Sequence, residues 1–164
     1  MELGVGMDKG HVEIRKETKL VGYSVEASLN QDMEAGIVVE LRQKLLETRH
    51  EIANQLENAG IYLVQEYPNC EWTPDTPFVS IAAVEVSEFA QIPEGAVQHT
   101  LVAGEYAKFT HKGPESEIGD TYDSIRETGV AADRPFDFEY WANPDALGED
   151  EAVIDIYLPL KANF

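Results

Sequence analysis

Alternating apolar and polar residues open the first half of the chain. Over residues 20–29 every second side chain is apolar or aromatic, with Val21 and Tyr23 pointing to one side, and this period of two predicts a half-buried strand. From Asp32 onward, apolar residues recur mostly at every third, fourth or seventh position, which predicts an amphipathic helix. Asn30 or Asp32 is expected to cap the start of that helix.

Two more strands complete the first half. The helix is expected to break near Arg49 and to end by Gly60. Residues 61–67 and 78–86 then have the composition of strands, and the loop between them contains three prolines. The first half therefore predicts the order strand, helix, strand, strand.

The second half repeats this order of elements. Residues 97–111 predict a strand, and Gly113-Pro114 predicts the start of a helix that Gly129 ends. Residues 135–141 and 153–161 predict the last two strands. The repeat lies in the order of elements, because few residues are identical between the halves.

This repeated order predicts an α+β fold. We expect a duplicated βαββ unit with pseudo-twofold symmetry, in which an antiparallel sheet is covered by two helices, one from each half. The half-repeats span about residues 11–90 and 95–161, within one domain of residues 11–164. Residues 1–10 are expected to be a flexible or non-native extension. A groove between the halves is the expected place for a small-molecule site.

Composition and charge narrow the classes of function. With 164 residues and 43% apolar content, the chain can bury a core without disulfide or metal, and Cys70 is its only cysteine. The formal net charge of −19 argues against direct binding of nucleic acid, whose phosphates it would repel. No signal-peptide core or membrane-spanning apolar run occurs, so we expect a cytoplasmic protein.

The four histidines do not suggest a metal site. They are scattered along the chain, without the close spacing of metal ligands, at His11, His50, His99 and His111. The sequence also lacks a nucleophile elbow and a phosphate-binding glycine loop. We therefore expect neither a metal nor another cofactor.

An ordered set of short motifs resembles the GyrI-like family. The motifs are AGEYAKFTHKGP (103–114), Ile118, Thr121-Tyr122, Ile125, Phe138-Glu139 and IYLPLK (156–161). This family is the small-molecule-binding domain that also forms the effector domain of AraC-type and MerR-type multidrug-responsive regulators. The resemblance covers residues 11–161 and implies a stand-alone member without a DNA-binding segment, of a kind carried on mobile gene cassettes.

The resemblance also implies a ligand class and a site residue. Drug-binding members accept bulky, flat, cationic or amphipathic compounds in the groove, where a glutamate on the penultimate strand meets the positive charge. Glu139 matches that position. Strand alternation places Asp137 and Trp141 on the same face as Glu139, and an indole beside a carboxylate suits an organic cation.

Other aromatic residues are candidates to line the groove, with packing in the core as the competing interpretation. They are Trp72, Tyr106, Phe109, Tyr122 and Tyr157, and core packing is favoured for Phe109 and Tyr122. The predicted ligand-binding set is Glu139, Trp141, Trp72, Tyr106, Phe109 and Tyr157.

Three functions stay open. The first is non-enzymatic binding of a hydrophobic cation, with Glu139 as charge partner. The second follows from the cyclopropanoid hydrolases of the family, and makes Glu139 a general acid or base assisted by Tyr106 or Tyr140. The third is inhibition of a basic, DNA-handling enzyme by the acidic surface. Association of two copies into a homodimer through an edge strand also stays open.

Overall fold

The computed structural model describes residues 10–56 and 60–160. The predicted extension of residues 1–10 lies almost wholly outside the described residues. Eight strands run β1 His11–Arg15, β2 Thr18–Ala27, β3 Ile61–Glu66, β4 Phe78–Val86, β5 Val97–Leu101, β6 Gly104–Lys112, β7 Phe136–Trp141 and β8 Val153–Pro159. Three α-helices run α1 Leu29–Ala35, α2 Ile37–Thr48 and α3 Ile118–Thr128, and short 3₁₀ turns cover Arg49–Glu51, Glu115–Glu117 and Pro144–Ala146. No helix in the described part of the chain is long and apolar enough to cross a membrane.

All eight strands form one antiparallel sheet in the order β1-β6-β8-β7-β3-β4-β2-β5. The first half contributes β2, β3 and β4, the second half contributes β6, β7 and β8, and the two halves meet where β3 pairs with β7. The α+β fold with its repeated βαββ order is therefore confirmed.

The sheet is strongly curled. β5 and β6 are six strand positions apart, which would separate them by about 29 Å in a flat sheet, yet only Val102 and Ala103 connect them. Three Cα steps reach at most about 11 Å, so the edge strand β5 must approach β6, the strand next to the opposite edge. The prediction of one strand over 97–111 was wrong, because the chain leaves the edge strand β5 at Leu101 and enters β6, next to the opposite edge, at Gly104.

Curling gives the sheet two different faces. Among the described residues no helix packs on the inner face, whose side chains pack against one another. One buried cluster there contains Leu20, Tyr62, Val64, Ile81, Ala83, Leu101, Tyr106, Phe138 and Tyr157. The outer face packs against the helices, through Leu41 and Leu45 of α2 and Ile125 of α3. Side chains of one strand thus alternate between two separate cores.

The helical layer differs from the prediction in two respects, the division of the first helix and the residue that caps it. The expected single helix of the first half is divided into α1 and α2 at Gly36, whose positive φ of 66° is a left-handed conformation that favours glycine. Ser28 caps α1 in a capping box with Gln31. The prediction of Asn30 or Asp32 as the cap was wrong, because both lie inside α1. Asp32 Oδ1 instead accepts a hydrogen bond from the Val38 amide, in the first turn of α2, at 2.7 Å.

Candidate functional site

Glu139 lies in the middle of an apolar row on the outer face. Directly paired residues in an antiparallel sheet share a face, and the row across six strands reads Phe109, Ile156, Glu139, Leu63, Ala82 and Tyr23. Glu139 is the one charged residue of this row and is 4% exposed. Its carboxylate is therefore withdrawn from water at the junction of the two halves.

Two neutral groups donate hydrogen bonds to Glu139. The Tyr122 hydroxyl of α3 donates to Oε2 at 2.6 Å, and the Trp141 Nε1 donates to Oε1 at 2.9 Å. In the described part of the chain, no lysine, arginine or histidine forms an ion pair with this carboxylate.

The pKa of Glu139 reflects this environment. The pKa of Glu139 is raised to about 7, mainly because burial disfavours the charged form. The hydrogen bonds from Tyr122 and Trp141 oppose this rise, and the charges of Asp137 and Glu115 add to it. A carboxyl group in this state exchanges its proton near neutral pH.

A second buried carboxylate, Asp137, has a different set of partners. Arg134 Nε donates to its Oδ2 at 2.9 Å, the Tyr67 hydroxyl donates to Oδ2 at 2.8 Å, and Gln65 Nε2 donates to Oδ1 at 2.8 Å. Burial raises the pKa of Asp137 and the guanidinium of Arg134 opposes that rise. Gln65 also donates to the Tyr122 oxygen at 3.2 Å, so one network of hydrogen bonds contains both carboxylates.

Trp141 joins the buried carboxylate to the helical layer. Its side chain is fully buried, and the guanidinium carbon of Arg42 in α2 lies 4.8 Å from its ring centroid. Arg42 Nη1 also donates to Glu115 Oε2 at 2.8 Å. Gly60 is required beside Trp141, because a Cβ at residue 60 would lie 2.1 Å from the Trp141 carbonyl oxygen.

The structure separates the predicted aromatic residues into two groups. Trp141 and Phe109 lie on the outer face with Glu139. Tyr106, Tyr140 and Tyr157 lie on the inner face, across the sheet from its carboxylate. The Tyr106 hydroxyl donates to the Val102 carbonyl, and the Tyr140 oxygen accepts from the Gly60 amide. The structure therefore brings none of these three tyrosines together with Glu139.

Trp72 lies in the connection between β3 and β4. That connection is held against the start of α1, where the Asn30 amide donates to the Pro74 carbonyl. The Trp72 Nε1 atom is buried and has no hydrogen-bond partner within residues 10–56 and 60–160. A role for Trp72 at the groove stays a prediction.

The inner face already contains a cation. The guanidinium carbon of Arg15 lies 4.7, 5.2 and 5.8 Å from the ring centroids of Tyr157, Phe138 and Tyr62. Arg15 Nη2 also donates to the Tyr62 hydroxyl at 3.1 Å. These rings hold an arginine of the chain itself and attach β1 to the curled sheet.

The sequence interpretation missed several residues of the outer site. Tyr122 packs against the outer core, as its place on the inward stripe of α3 predicts, but the hydrogen bond from its hydroxyl to Glu139 was not predicted. Gln65, Arg134 and Arg42 carried no signal in the sequence, because their roles depend on pairing between distant segments.

Among the described residues, no histidine donates a hydrogen bond to Glu139 or Asp137. The Nε2 atom of His111 donates to the Pro114 carbonyl at 3.1 Å, which leaves Nδ1 to accept from the Thr121 hydroxyl at 2.6 Å. Within the described residues, no three His, Cys, Asp or Glu side chains are grouped as a metal site.

A family model for the GyrI-like small molecule binding domain matches residues 11–161. The chain belongs to the GyrI-like family. It is therefore a small-molecule-binding domain, and it is related to the effector domains of transcription regulators. The transcriptional regulator BrlR of Pseudomonas aeruginosa is 29% identical to it, in a match that covers 74% of this chain and 45% of BrlR. The GyrI-like chain thus spans less than half of that regulator.

Two solved structures share the fold of this GyrI-like domain. SAV2435 bound to tetraphenylphosphonium has a TM-score of 0.70 and 16% identity, and the match covers 94% of each chain. The C-terminal domain of EcmrR has a TM-score of 0.67 and 12% identity, and covers 92% of this chain and 96% of its own. At these identities the likeness is one of fold.

Proposed function

We propose that this GyrI-like domain binds hydrophobic organic cations at the outer face of its sheet, with Glu139 as the charge partner. The observation that carries the proposal is a buried carboxylate whose hydrogen-bond donors are a phenol and an indole. An anion held in this way keeps a large desolvation penalty. A bound cation lowers that penalty, so ligands with a positive charge are favoured.

The neighbours of Glu139 suit the apolar part of such a ligand. Ile156 and Leu63 flank it within the sheet, and Trp141 adds a large aromatic ring. Burial of apolar surface is non-directional, so a surface of this kind accepts many flat or bulky groups. Asp137 is less suited to bind a cation, since Arg134 already neutralises it.

Tetraphenylphosphonium, which SAV2435 holds, is the first compound to test. Binding is expected to quench tryptophan fluorescence through Trp141, and calorimetry gives the affinity. Glu139→Gln is expected to weaken binding by about 1–3 kcal/mol, the scale of losing a charged partner. Glu127→Gln, which removes one exposed acid from α3, is the matched control and should bind as the wild type does.

A neutral compound of similar shape separates charge from shape. Triphenylphosphine oxide should bind Glu139→Gln and the wild type equally. If Glu139→Gln weakened the phosphonium and the neutral oxide by the same factor, charge pairing would be the wrong explanation.

One observation favours a second candidate function. A carboxyl group with a pKa of about 7 suits general acid or base catalysis at neutral pH. Hydrolysis of an electrophilic, cyclopropane-containing compound would then use Glu139 with Tyr122, the tyrosine within hydrogen-bond distance, instead of Tyr106 or Tyr140. Product formation that Glu139→Gln abolishes would favour this function, and unchanged substrate after long incubation would contradict it.

A further inference from the structure

Arg42 occupies a position that would also suit the positive group of a bound ligand. Its guanidinium lies over the Trp141 ring at 4.8 Å and pairs with Glu115 at 2.8 Å. Both charged side chains are mostly buried, at 13% and 24% exposure. A cation between an aromatic face and a carboxylate is the arrangement that recognises organic cations.

This arrangement connects the two halves of the domain. Arg42 belongs to α2 of the first half, and Glu115 belongs to the 3₁₀ turn that precedes α3 in the second half. The Glu115 amide donates to the Leu147 carbonyl at 2.7 Å, which fixes this turn on its own half. The interaction of Arg42 with Glu115 therefore crosses between helical segments of different halves.

The same indole also contacts the buried carboxylate. Trp141 donates its Nε1 hydrogen to Glu139 while its ring is covered by the guanidinium of Arg42. Two carboxylates are thus connected to one ring: Glu139 accepts from its Nε1 edge, and Glu115 pairs with the guanidinium over its face. Glu115 already has a cation, while Glu139 has none among the described residues.

We propose that Glu115 and the ring of Trp141 form a second cation subsite, which Arg42 fills in this structure and which dicationic ligands take over. This inference rests on the proposed function, because it adds a second positive group to a ligand held by Glu139. A monocation that binds at Glu139 and displaces Arg42 leaves the mostly buried carboxylate of Glu115 without a positive partner, which is unfavourable. A dication restores a positive charge at Glu115, so compounds with two cationic groups about one aromatic ring apart are preferred.

A matched pair of probes tests this preference. The dication is 1,4-bis(trimethylammoniomethyl)benzene and the monocation is benzyltrimethylammonium, both measured by calorimetry. The wild type is expected to prefer the dication by about tenfold, the size of one well-packed cation–π contact. Glu115→Gln should reduce this preference to about twofold or less. An unchanged preference in Glu115→Gln would overturn the proposal.

A second experiment examines the subsite without Glu139. Arg42→Ala empties the position, so methylguanidinium should bind and raise the melting temperature of this variant. The wild type, Arg42→Ala combined with Glu115→Gln, and Arg126→Ala, which removes an exposed arginine, should show no such rise. If methylguanidinium stabilised all four proteins equally, the subsite would be rejected.

The two proposals can fail separately. Phosphonium binding that Glu139→Gln leaves unchanged would reject the proposed function. Methylguanidinium binding to Arg42→Ala would still support the subsite. If Arg42→Ala does not fold, Arg42→Met keeps the aliphatic stem over Trp141. That variant should bind the dication about tenfold more tightly than the wild type, because the internal competitor has been removed. Equal affinity would overturn the subsite.

Discussion

Asp137 and Glu139 are two residues apart on β7 and share the outer face, yet their surroundings differ in charge. Asp137 is fully buried and pairs with the guanidinium of Arg134 at 2.9 Å. Glu139 is almost as deeply buried, at 4% exposure, and receives hydrogen bonds only from Tyr122 and Trp141 among the described residues. Both carboxylates have raised pKa values because burial disfavours the charged form.

Burial alone therefore does not identify a carboxylate that binds a ligand. An acid that already has a cation has a structural role, whereas an acid held by neutral donors can still gain a charge partner. Structural ion pairs also perturb pKa values. The partners therefore carry more information about function than the pKa does.

The largest effect is expected when Asp137 is made to resemble Glu139. Arg134→Met removes the cation and leaves a buried carboxylate with neutral donors only, which should lower the free energy of unfolding by about 4 kcal/mol at pH 8. The loss should be smaller at pH 5, because burial raises the pKa of Asp137 and the variant lacks the guanidinium that opposes that rise, so lower pH favours the neutral acid. Urea denaturation at the two pH values measures it.

Arg126→Met is the control for that change. Arg126 pairs with Asp123 on the surface of α3, with both side chains more than 60% exposed, so its loss should be below about 0.5 kcal/mol. If Arg134→Met were no more destabilising than Arg126→Met, the buried Asp137 would not depend on the guanidinium of Arg134. The stated difference between Asp137 and Glu139 would then be contradicted.

A change of intermediate size is expected in the pH dependence of stability. In the folded protein Glu139 keeps its proton up to a pKa of about 7, whereas the unfolded chain releases it near the ordinary value of 4.5. Between these values the folded state binds more protons, so the free energy of unfolding falls as pH rises, and the fall ends above pH 7. Its size is about 3 kcal/mol.

Glu139→Gln should remove this fall. Near pH 4 the variant and the wild type should be similarly stable, and at pH 8 the variant should be the more stable protein. Urea denaturation at several pH values gives the difference. A difference that stays constant from pH 4 to pH 8 would show that Glu139 does not titrate as described.

The smallest effect concerns ligand affinity. A cation binds the deprotonated form of Glu139, so phosphonium affinity should be about tenfold weaker at pH 6 than at pH 8, or about 1.4 kcal/mol. Calorimetry at both values measures the ratio. Triphenylphosphine oxide should bind equally at both, and a tenfold change for this neutral compound would point to a structural effect of pH instead.

Periodicity predicted most of the fold but not its curl. The strand over residues 78–86 and the helix ending at Gly129 follow from local pattern, and both are confirmed. The division of residues 97–111 into two strands does not follow from alternation, because it arises where the chain crosses from the edge strand β5 to β6, on the other side of the curled sheet. Short β1 was also missed, since five residues with a mixed pattern carry little signal.

The candidate site was predictable only along single strands. Alternation put Glu139 and Trp141 on one face, as the structure does. The partners come from elsewhere in the chain, with Tyr122 from α3 and Arg42 from α2. No local pattern encodes which helix crosses above which strand, so these contacts required the three-dimensional structure.

The distance in sequence between β1 and its partner strand affects how the protein folds during synthesis. β1, residues 11–15, pairs only with β6, which follows about ninety residues later in the sequence. Contacts between such distant segments slow folding, because a long loop must close first. During synthesis on the ribosome, β1 therefore pairs only after most of the chain has emerged, and Arg15 reaches Phe138 and Tyr157 only once the second half has been translated.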